Sequence, residues 1–201
     1  MRSEIGNDIL KSVEILNHGG LVAIPTETVY GLAGNALSDF SVEKIYSLKN
    51  RPSYNPLILH IGSFDQIKTI ARDIPQKAML LARYFWPGPL TLVLKKQPII
   101  SDIVTSGKDT VAIRMPNHPL TLEILKRLDF PLAAPSANPF GSISPTTAKH
   151  VADYFTDTLT IILDGGSCDK GIESTIIGFE NGQAILYRQG STKVEDIEKI
   201  T

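Results

Sequence analysis

Two cations flank a single residue in the stretch SLKNRPSYNPLILHI: Lys49 and Arg51, with Pro52 directly behind them. Held in one turn, they repel each other unless an anion lies between them. Phosphate suits that place, because lysine offers a compact charge and arginine a planar fork. A solvated helix C-terminus, where the dipole favours cations, accounts for the pair equally well. The proline-rich loop APSANPFGSISPTT carries Ser136, Asn138 and Ser144. These side chains can donate to phosphate or ribose oxygens, and a helix opening after Ser144 offers free N–H groups to an anion. Turn-making and helix capping explain the same residues without a ligand. Arg114 sits in TVAIRMPNHP on an apolar strand, sharing a face with Ala112. An arginine there is not left buried alone, so it meets a ligand anion or an internal carboxylate. In GIESTIIGF, Ser174 and Thr175 precede a buried strand beside Glu173, and in YRQG Arg188 ends a strand. His60, in LILHI, faces away from Leu59 and Ile61, and a lone histidine on such a strand is more often a satisfied core residue than a catalyst. Thr26, Glu27 and Thr28 follow Pro25 and read as turn chemistry; Cys168 reads as an unreactive thiol in a glycine-rich turn.

Other familiar sites are missing. The sequence holds no G-x-x-x-x-G-K-[ST], no G-x-G-x-x-G and no G-x-S-x-G. One cysteine and four scattered histidines give no zinc spacing. The formal charge is −1, from 20 Lys+Arg against 21 Asp+Glu, which argues against holding nucleic acid by bulk charge but permits a local basic pocket. With 42% hydrophobic residues and 15 glycines in 201, the chain has a globular balance that excludes disorder, collagen and coiled coil. That length favours one large domain over 1–201, with a folded surface of roughly 9,300 Å² by the usual scaling. A single cysteine cannot pair within the chain, which points to a reducing compartment. Glu4 and Asp8 interrupt any signal peptide, and the uncharged run Phe130–Ala148 holds too many prolines for a membrane helix. A soluble, cytoplasmic protein with no membrane partner is expected.

Elements must position these side chains, and the periodicity supplies them. Ile5, Ile9, Val13 and Leu16 predict a first helix, ended by Gly19-Gly20. Leu21–Pro25 reads as a buried strand and TETVYGLAGNALSD as a loop. A helix is expected over Asp39–Leu48 and a strand over Leu57–Ile61. Ser63 with Gln66 predicts a capping box opening a helix toward Ala71. Pro75 opens another helix, stopped at Pro87–Pro89. Leu90–Lys96 and Val111–Met115 read as strands, Leu120–Leu128 as a helix, and PLAAPSAN as a strand entering a loop. Ser144-Pro145 predicts a helix start running to Phe155. TIILDGG, STIIGF and AILYR read as strands, and Thr192 with Glu195 as a final capped helix. Strands and helices intermingle throughout, so the fold class is α/β or α+β, with a mixed sheet and packed helices.

The ordered set PTETVYGLAGNA, K-x-R-P…NPLILHI, WPGPLTLVL, TVAIRMPNHP, APSANPFGSISPTTA, LDGG, ESTII and YRQG resembles the YrdC-type threonylcarbamoyl-AMP synthases from about Leu21 to Gly190. The resemblance implies a YrdC-like twisted, mainly parallel-to-mixed sheet with flanking helices around a basic cavity. It implies synthesis of threonylcarbamoyl-adenylate from L-threonine, bicarbonate and ATP, with release of pyrophosphate. Mg²⁺ is expected as a phosphate-bridged ion, its protein ligands unassigned. A downstream transferase is expected as the partner, moving the threonylcarbamoyl group to the adenosine beside the anticodon of tRNA. The family's K-x-R…S-x-N tetrad falls on Lys49, Arg51, Ser136 and Asn138. Its ATP contacts fall on Arg51, Asn55, Thr110, Ser136, Ser144 and Arg188, and its threonine contacts on Thr28, His60, Arg114, Ala134 and Ser174. Some members carry a further C-terminal domain on a linker that closes over the site, whereas this sequence ends about ten residues after YRQG. That end suits a single-domain form or a catalytic domain alone. An RNA-binding module with weak tRNA affinity, and a related enzyme acting on another carbamoyl compound or adenylate, are the competing readings.

Overall fold

The computed structural model describes residues 3–200. In chain order the elements are β1 (Glu4–Gly6), α1 (Ile9–Asn17), β2 (Val22–Ile24), β3 (Gly31–Asn35), α2 (Asp39–Lys49), β4 (Ile58–His60), α3 (Gln66–Ile70), β5 (Ala71–Arg72), α4 (Gln76–Phe85) and β6 (Leu90–Lys96). They continue with α5 (Asp102–Thr105), β7 (Thr110–Arg114), α6 (Pro119–Arg127), β8 (Leu132–Ala133), α7 (Ala148–Tyr154), β9 (Ile161–Leu163), β10 (Thr175–Glu180), β11 (Gln183–Arg188) and α8 (Val194–Glu198). One mixed sheet runs β1-β9-β2-β3-β8-β4-β7-β6-β10-β11, with β5 paired to β6. Neighbours β1/β9, β2/β9, β4/β7 and β6/β10 are parallel, and the others are antiparallel. The sheet is therefore mixed with an antiparallel majority, not mainly parallel.

Strand alternation divides the sheet into two regimes. In the half built by β9, β2 and β3 both faces are apolar. Val22, Ile24, Ile161 and Leu163 meet Leu16, Ile124 and Leu125 on one side, while Ala23, Leu32 and Ile162 join the larger core on the other. In the half built by β4, β7, β6 and β10 one face is core: Leu59, Leu92, Val111, Ile113 and Ile177 pack with residues of α3, α4 and α5. The opposite face bears Ile58, His60, Thr110, Ala112, Arg114, Val93 and Ile176, which line a cavity. Parallel register sets Ile58 beside Ala112 and His60 beside Arg114.

Several local expectations are corrected. Ile5 belongs to β1, not to the first helix, because Glu4–Gly6 pair with β9 and Asp8 caps a helix beginning at Ile9. The supposed loop after Pro25 contains β3, whose Gly34 lies so close to Leu21 and Ile45 that a Cβ would meet their side chains at 2.8 and 3.2 Å. The three expected side-chain caps also take other forms. Gln66 accepts from the Gly62 N–H, and Asp65, not Ser63, holds the cap position of α3 without a side-chain bond. The helix expected at Ser144 starts at Ala148, capped by Thr147, whose hydroxyl accepts from the His150 N–H. The Thr192 hydroxyl donates to the Pro89 carbonyl, leaving α8 uncapped by a side chain. Ser144 and Thr192 are claimed by distant partners, Glu173 and Pro89, whereas Gln66 is claimed by the nearby Gly62.

The C-terminal segment folds back on β10. Thr175 Oγ1 accepts from the N–H groups of Gly190 and Thr192 and donates to the Thr192 carbonyl at 2.7 Å. A Cβ at Gly190 would fall 2.4 Å from both the Glu173 carbonyl oxygen and the Ser174 carbonyl carbon. Backbone cannot yield as a flexible side chain can, so Gly190→Ala is expected to destabilise by about 1 to 3 kcal/mol. Chemical denaturation checks this; a midpoint equal to wild type contradicts the close packing.

Candidate active site

The cavity has a volume of about 1200 Å³. Five cations line it, Lys49, Arg51, Lys108, Arg114 and Arg188, against two carboxylates, Asp109 and Glu173. It is a basic cavity in an otherwise charge-balanced chain.

Helix α2 delivers the first two cations. Its end is a Schellman turn: Asn50 adopts the left-handed conformation at φ 50°, its N–H bonds to Ser47 O, and the Arg51 N–H bonds to Tyr46 O. Lys49 and Arg51 therefore stand on either side of a sharp reversal. Lys49 is 1% exposed, so a solvated helix end is excluded. Its ammonium donates to the carbonyls of Ser136 and Asn138, and its own carbonyl accepts from the Phe140 N–H at 2.7 Å. Arg51 donates to the carbonyls of Asn55 and Pro56 at 3.1 and 3.0 Å. Burial, and secondarily the neighbouring Arg51, lower the Lys49 pKa to about 7. Burial also lowers that of Arg51.

The 135–145 loop closes the opposite wall. The Asn138 amide donates to the carbonyls of Pro139 and Ser142, and its Oδ1 is buried without a donor. The loop is held to β3 by Leu32 N–H to Pro135 O and Ala137 N–H to Tyr30 O. The Ser144 hydroxyl donates to Glu173 at 2.6 Å. Burial alone would raise the Glu173 pKa, but the Ser144 hydroxyl, a backbone N–H and Arg188 outweigh it and the net shift is downward. Arg188 donates to the Ser174 carbonyl through Nε and Nη2 and to the Ser174 hydroxyl at 3.2 Å.

At the end of β7, Arg114 meets an internal carboxylate: Nη2 lies 2.9 Å from Glu27 Oε1, and both side chains are buried. The approach misses hydrogen-bond alignment, leaving those two atoms otherwise unpartnered. Glu27 Oε2 accepts from the Asn117 N–H at 2.9 Å, and Arg114 Nε donates to Gly88 O. His60, beside them, is held down to about 3 by burial and then by Arg114, so it is neutral. Its Nδ1 is buried without a partner, so it is not the satisfied core histidine expected. Cys168 is a free thiol, pushed up to about 11 chiefly by burial.

Of the expected residues, Lys49, Arg51, Ser136, Asn138, Thr110, Ser144, Arg188, Thr28, His60, Arg114, Ala134 and Ser174 all line this one cavity. Asn55 does not; it supports from behind, its carbonyl accepting from Arg51 and from the Tyr46 hydroxyl. Glu27 was read only as turn chemistry. The requirement that Arg114 find a carboxylate was the one sequence signal for it, and it named no position. Thr26 and Lys108, also on the wall, and Thr91, bonded to Ser174 behind it, carry no such signal.

An anion seated beside Lys49 favours its ammonium form and so raises its pKa. Pyrophosphate binding at about pH 8 is therefore expected to take up more protons in wild type than in Lys49→Met. Calorimetric titration in two buffers of different ionisation heat measures the difference. Equal proton uptake in the two proteins contradicts the assignment.

The family Sua5_yciO_yrdC, described as "Telomere recombination", matches residues 14–190. The threonylcarbamoyl-AMP synthase of Pyrococcus abyssi is 48% identical over 185 residues, covering 92% of this chain and 54% of the relative. That of Bacillus subtilis is 45% identical over 193 residues, covering 96% of this chain and 56% of the relative. The crystal structure of P. abyssi Sua5 complexed with L-threonine superposes with a TM-score of 0.93 at 47% identity, over 96% of this chain and 56% of that one. This chain thus spans about half the length of the curated relatives it matches. The match over 14–190 places the chain, with its mixed sheet and basic cavity, in the Sua5/YciO/YrdC family.

Proposed function

We propose that this chain carries the catalytic site of an L-threonylcarbamoyladenylate synthase, using L-threonine, bicarbonate and ATP. The observation that carries the reading is how the cations are held. Lys49, Arg51 and Arg188 bond to main-chain carbonyls, and among the described residues no carboxylate forms an ion pair with them. Their positions are fixed while their charge remains available to an anion. A triphosphate supplies that anion.

A threonine carbamate oxygen attacks the α-phosphorus of ATP, the bond to the bridging oxygen of the β-phosphate breaks, and pyrophosphate leaves. Such a transfer asks the protein for positioning and charge stabilisation rather than for a covalent nucleophile. Arg51 and Arg188, with the Ser136 and Ser144 hydroxyls, face the phosphates. Arg114 binds the threonine carboxylate, its fork held in place by Glu27 and Gly88. No described group of three or more His, Cys, Asp or Glu could hold a metal ion. The wall therefore fits a Mg²⁺ held mainly by phosphate oxygens, with Glu173 and Asp109 as the carboxylates at hand. That ion would neutralise phosphate charge. A transferase acting on tRNA would consume the product. No described helix is long and apolar enough to cross a membrane.

Incubation with ATP, Mg²⁺, bicarbonate and L-threonine is expected to release pyrophosphate and form the mixed anhydride, detected by mass spectrometry. L-valine, equal in volume but lacking the hydroxyl, is expected to be at least about tenfold poorer. Pyrophosphate release no greater than background sinks the enzyme reading; release driven equally by L-valine sinks the pocket assignment.

A further inference from the structure

The last two strands of the sheet do not pair one to one. Ile176 of β10 pairs with Arg188 and Ile177 with Leu186, so Tyr187 is an extra residue on β11. Such a β-bulge breaks the alternation that sends neighbouring side chains to opposite faces. Tyr187 and Arg188 accordingly both line the cavity. The tyrosine ring lies across Gly178, which follows the lining residue Ile176 by two positions on β10. A Cβ at Gly178 would fall 2.3 Å from Tyr187 Cε2 and 2.8 Å from Cζ, so glycine is what leaves the ring its seat. The Tyr187 hydroxyl donates to Glu180 Oε1 at 3.3 Å, and the residue is 52% exposed.

Tyr30 and Phe140 also line the cavity. Tyr30 is fully buried, its hydroxyl donating to Gly166 O. The Phe140 ring carries the Arg51 guanidinium, 5.9 Å from its centroid. Among the described residues no ring or cation packs on Tyr187. The lining residues that β6 and β10 contribute, Val93 and Ile176, are apolar. A flat, half-exposed aromatic ring beside apolar side chains suits a nucleobase rather than a phosphate.

We propose that Tyr187 is the platform on which the base of the nucleoside triphosphate stacks. The inference rests on the reading of the cavity as an ATP site, and adds a base subsite to the phosphate contacts. A phosphate held by Arg188 brings the attached nucleoside within reach of the adjoining residue, which the bulge turns toward the cavity. Stacking uses the face of the ring, so the ring and not the hydroxyl supplies the affinity.

The test measures the affinities of ATP and of inorganic tripolyphosphate, which lacks the base, by calorimetric titration in wild type, Tyr187→Ala and Tyr187→Phe. In Tyr187→Ala the affinity for ATP is expected to fall at least about fivefold, while that for tripolyphosphate stays within about twofold of wild type. Tyr187→Phe keeps the ring and the wild-type ratio of the two affinities. In Tyr187→Trp, ATP is expected to quench the added indole emission more strongly than tripolyphosphate does. A merely structural role for Tyr187 lowers both ligands by one factor; that outcome, or equal quenching by the two ligands, overturns the proposal. So does a Tyr187→Phe that behaves like Tyr187→Ala, which puts the effect at the hydroxyl. Failure of wild type to bind ATP at all removes the underlying reading and this inference with it, whereas normal ATP binding with an unchanged affinity in Tyr187→Ala removes this inference alone.

Discussion

The ammonium of Lys49 joins two parts of the chain that have no other reason to meet. It closes the end of α2 onto the carbonyls of Ser136 and Asn138, while its own carbonyl takes the Phe140 N–H. The 135–145 loop is rich in proline and short of regular structure, so its shape depends on such external bonds. Bonds from Leu32, Tyr30 and Glu173 hold the loop on its other sides, and the clamp is what ties Ser136 and Asn138 to the end of α2, opposite Arg51. A cation buried among carbonyls, with no carboxylate to neutralise it, is costly, and the lowered pKa is the measure of that cost. A protein retains such an arrangement where the charge itself is used.

Four of the five cations of the cavity fall into two electrostatic classes. Lys49, Arg51 and Arg188 are oriented by dipoles, which fix geometry but leave net charge. Arg114 is oriented by a formal charge, Glu27, at 2.9 Å. That pair is nearly neutral as a unit, so it suits a single carboxylate better than a polyphosphate. The sheet register supports the same division. Arg114 and His60 sit side by side at the ends of β7 and β4, whereas Thr110 opens β7 at the other end of the strand. One face of one pair of strands thus presents polar groups from Thr110 to Arg114, with Ala112 between them leaving room. The opposite face of the same strands is uninterrupted core.

The long elements were legible from apolar spacing and from the signals that bound them. α2, α4, α6, β6 and β7 fall within one or two residues of where the pattern placed them. β1 and β3 were not legible: three residues around Ile5 become a strand only through the distant β9, and the glycine-bearing run Gly31–Asn35, though it pairs with the neighbouring β2 and with β8, lacks the bulky alternation that marks a strand. Ser144 and Thr192 mislead through distant partners too: each carries a capping residue's side chain that a tertiary acceptor claims instead. At the site, the types of residue were legible and their partners were not. Arg114 announced that it needed an anion, and the structure supplied Glu27. Lys49 and Arg51 announced repulsion, and carbonyl oxygens rather than a carboxylate hold them. Almost all the residues carried over from the resemblance line one cavity, with Asn55 standing behind it.

Hydrogen exchange in Lys49→Met tests most directly whether that clamp builds the site. The Ala137 N–H bonds to Tyr30 O, that of Asn138 to Ser136 O, and that of Phe140 to Lys49 O. If the ammonium holds the loop, protection at these three amides falls by at least about tenfold, equivalent to about 1.4 kcal/mol of local opening. Amides of Leu92 and Ile113 in the central strands keep their wild-type protection. Wild-type protection at Ala137, Asn138 and Phe140 in the variant contradicts the account.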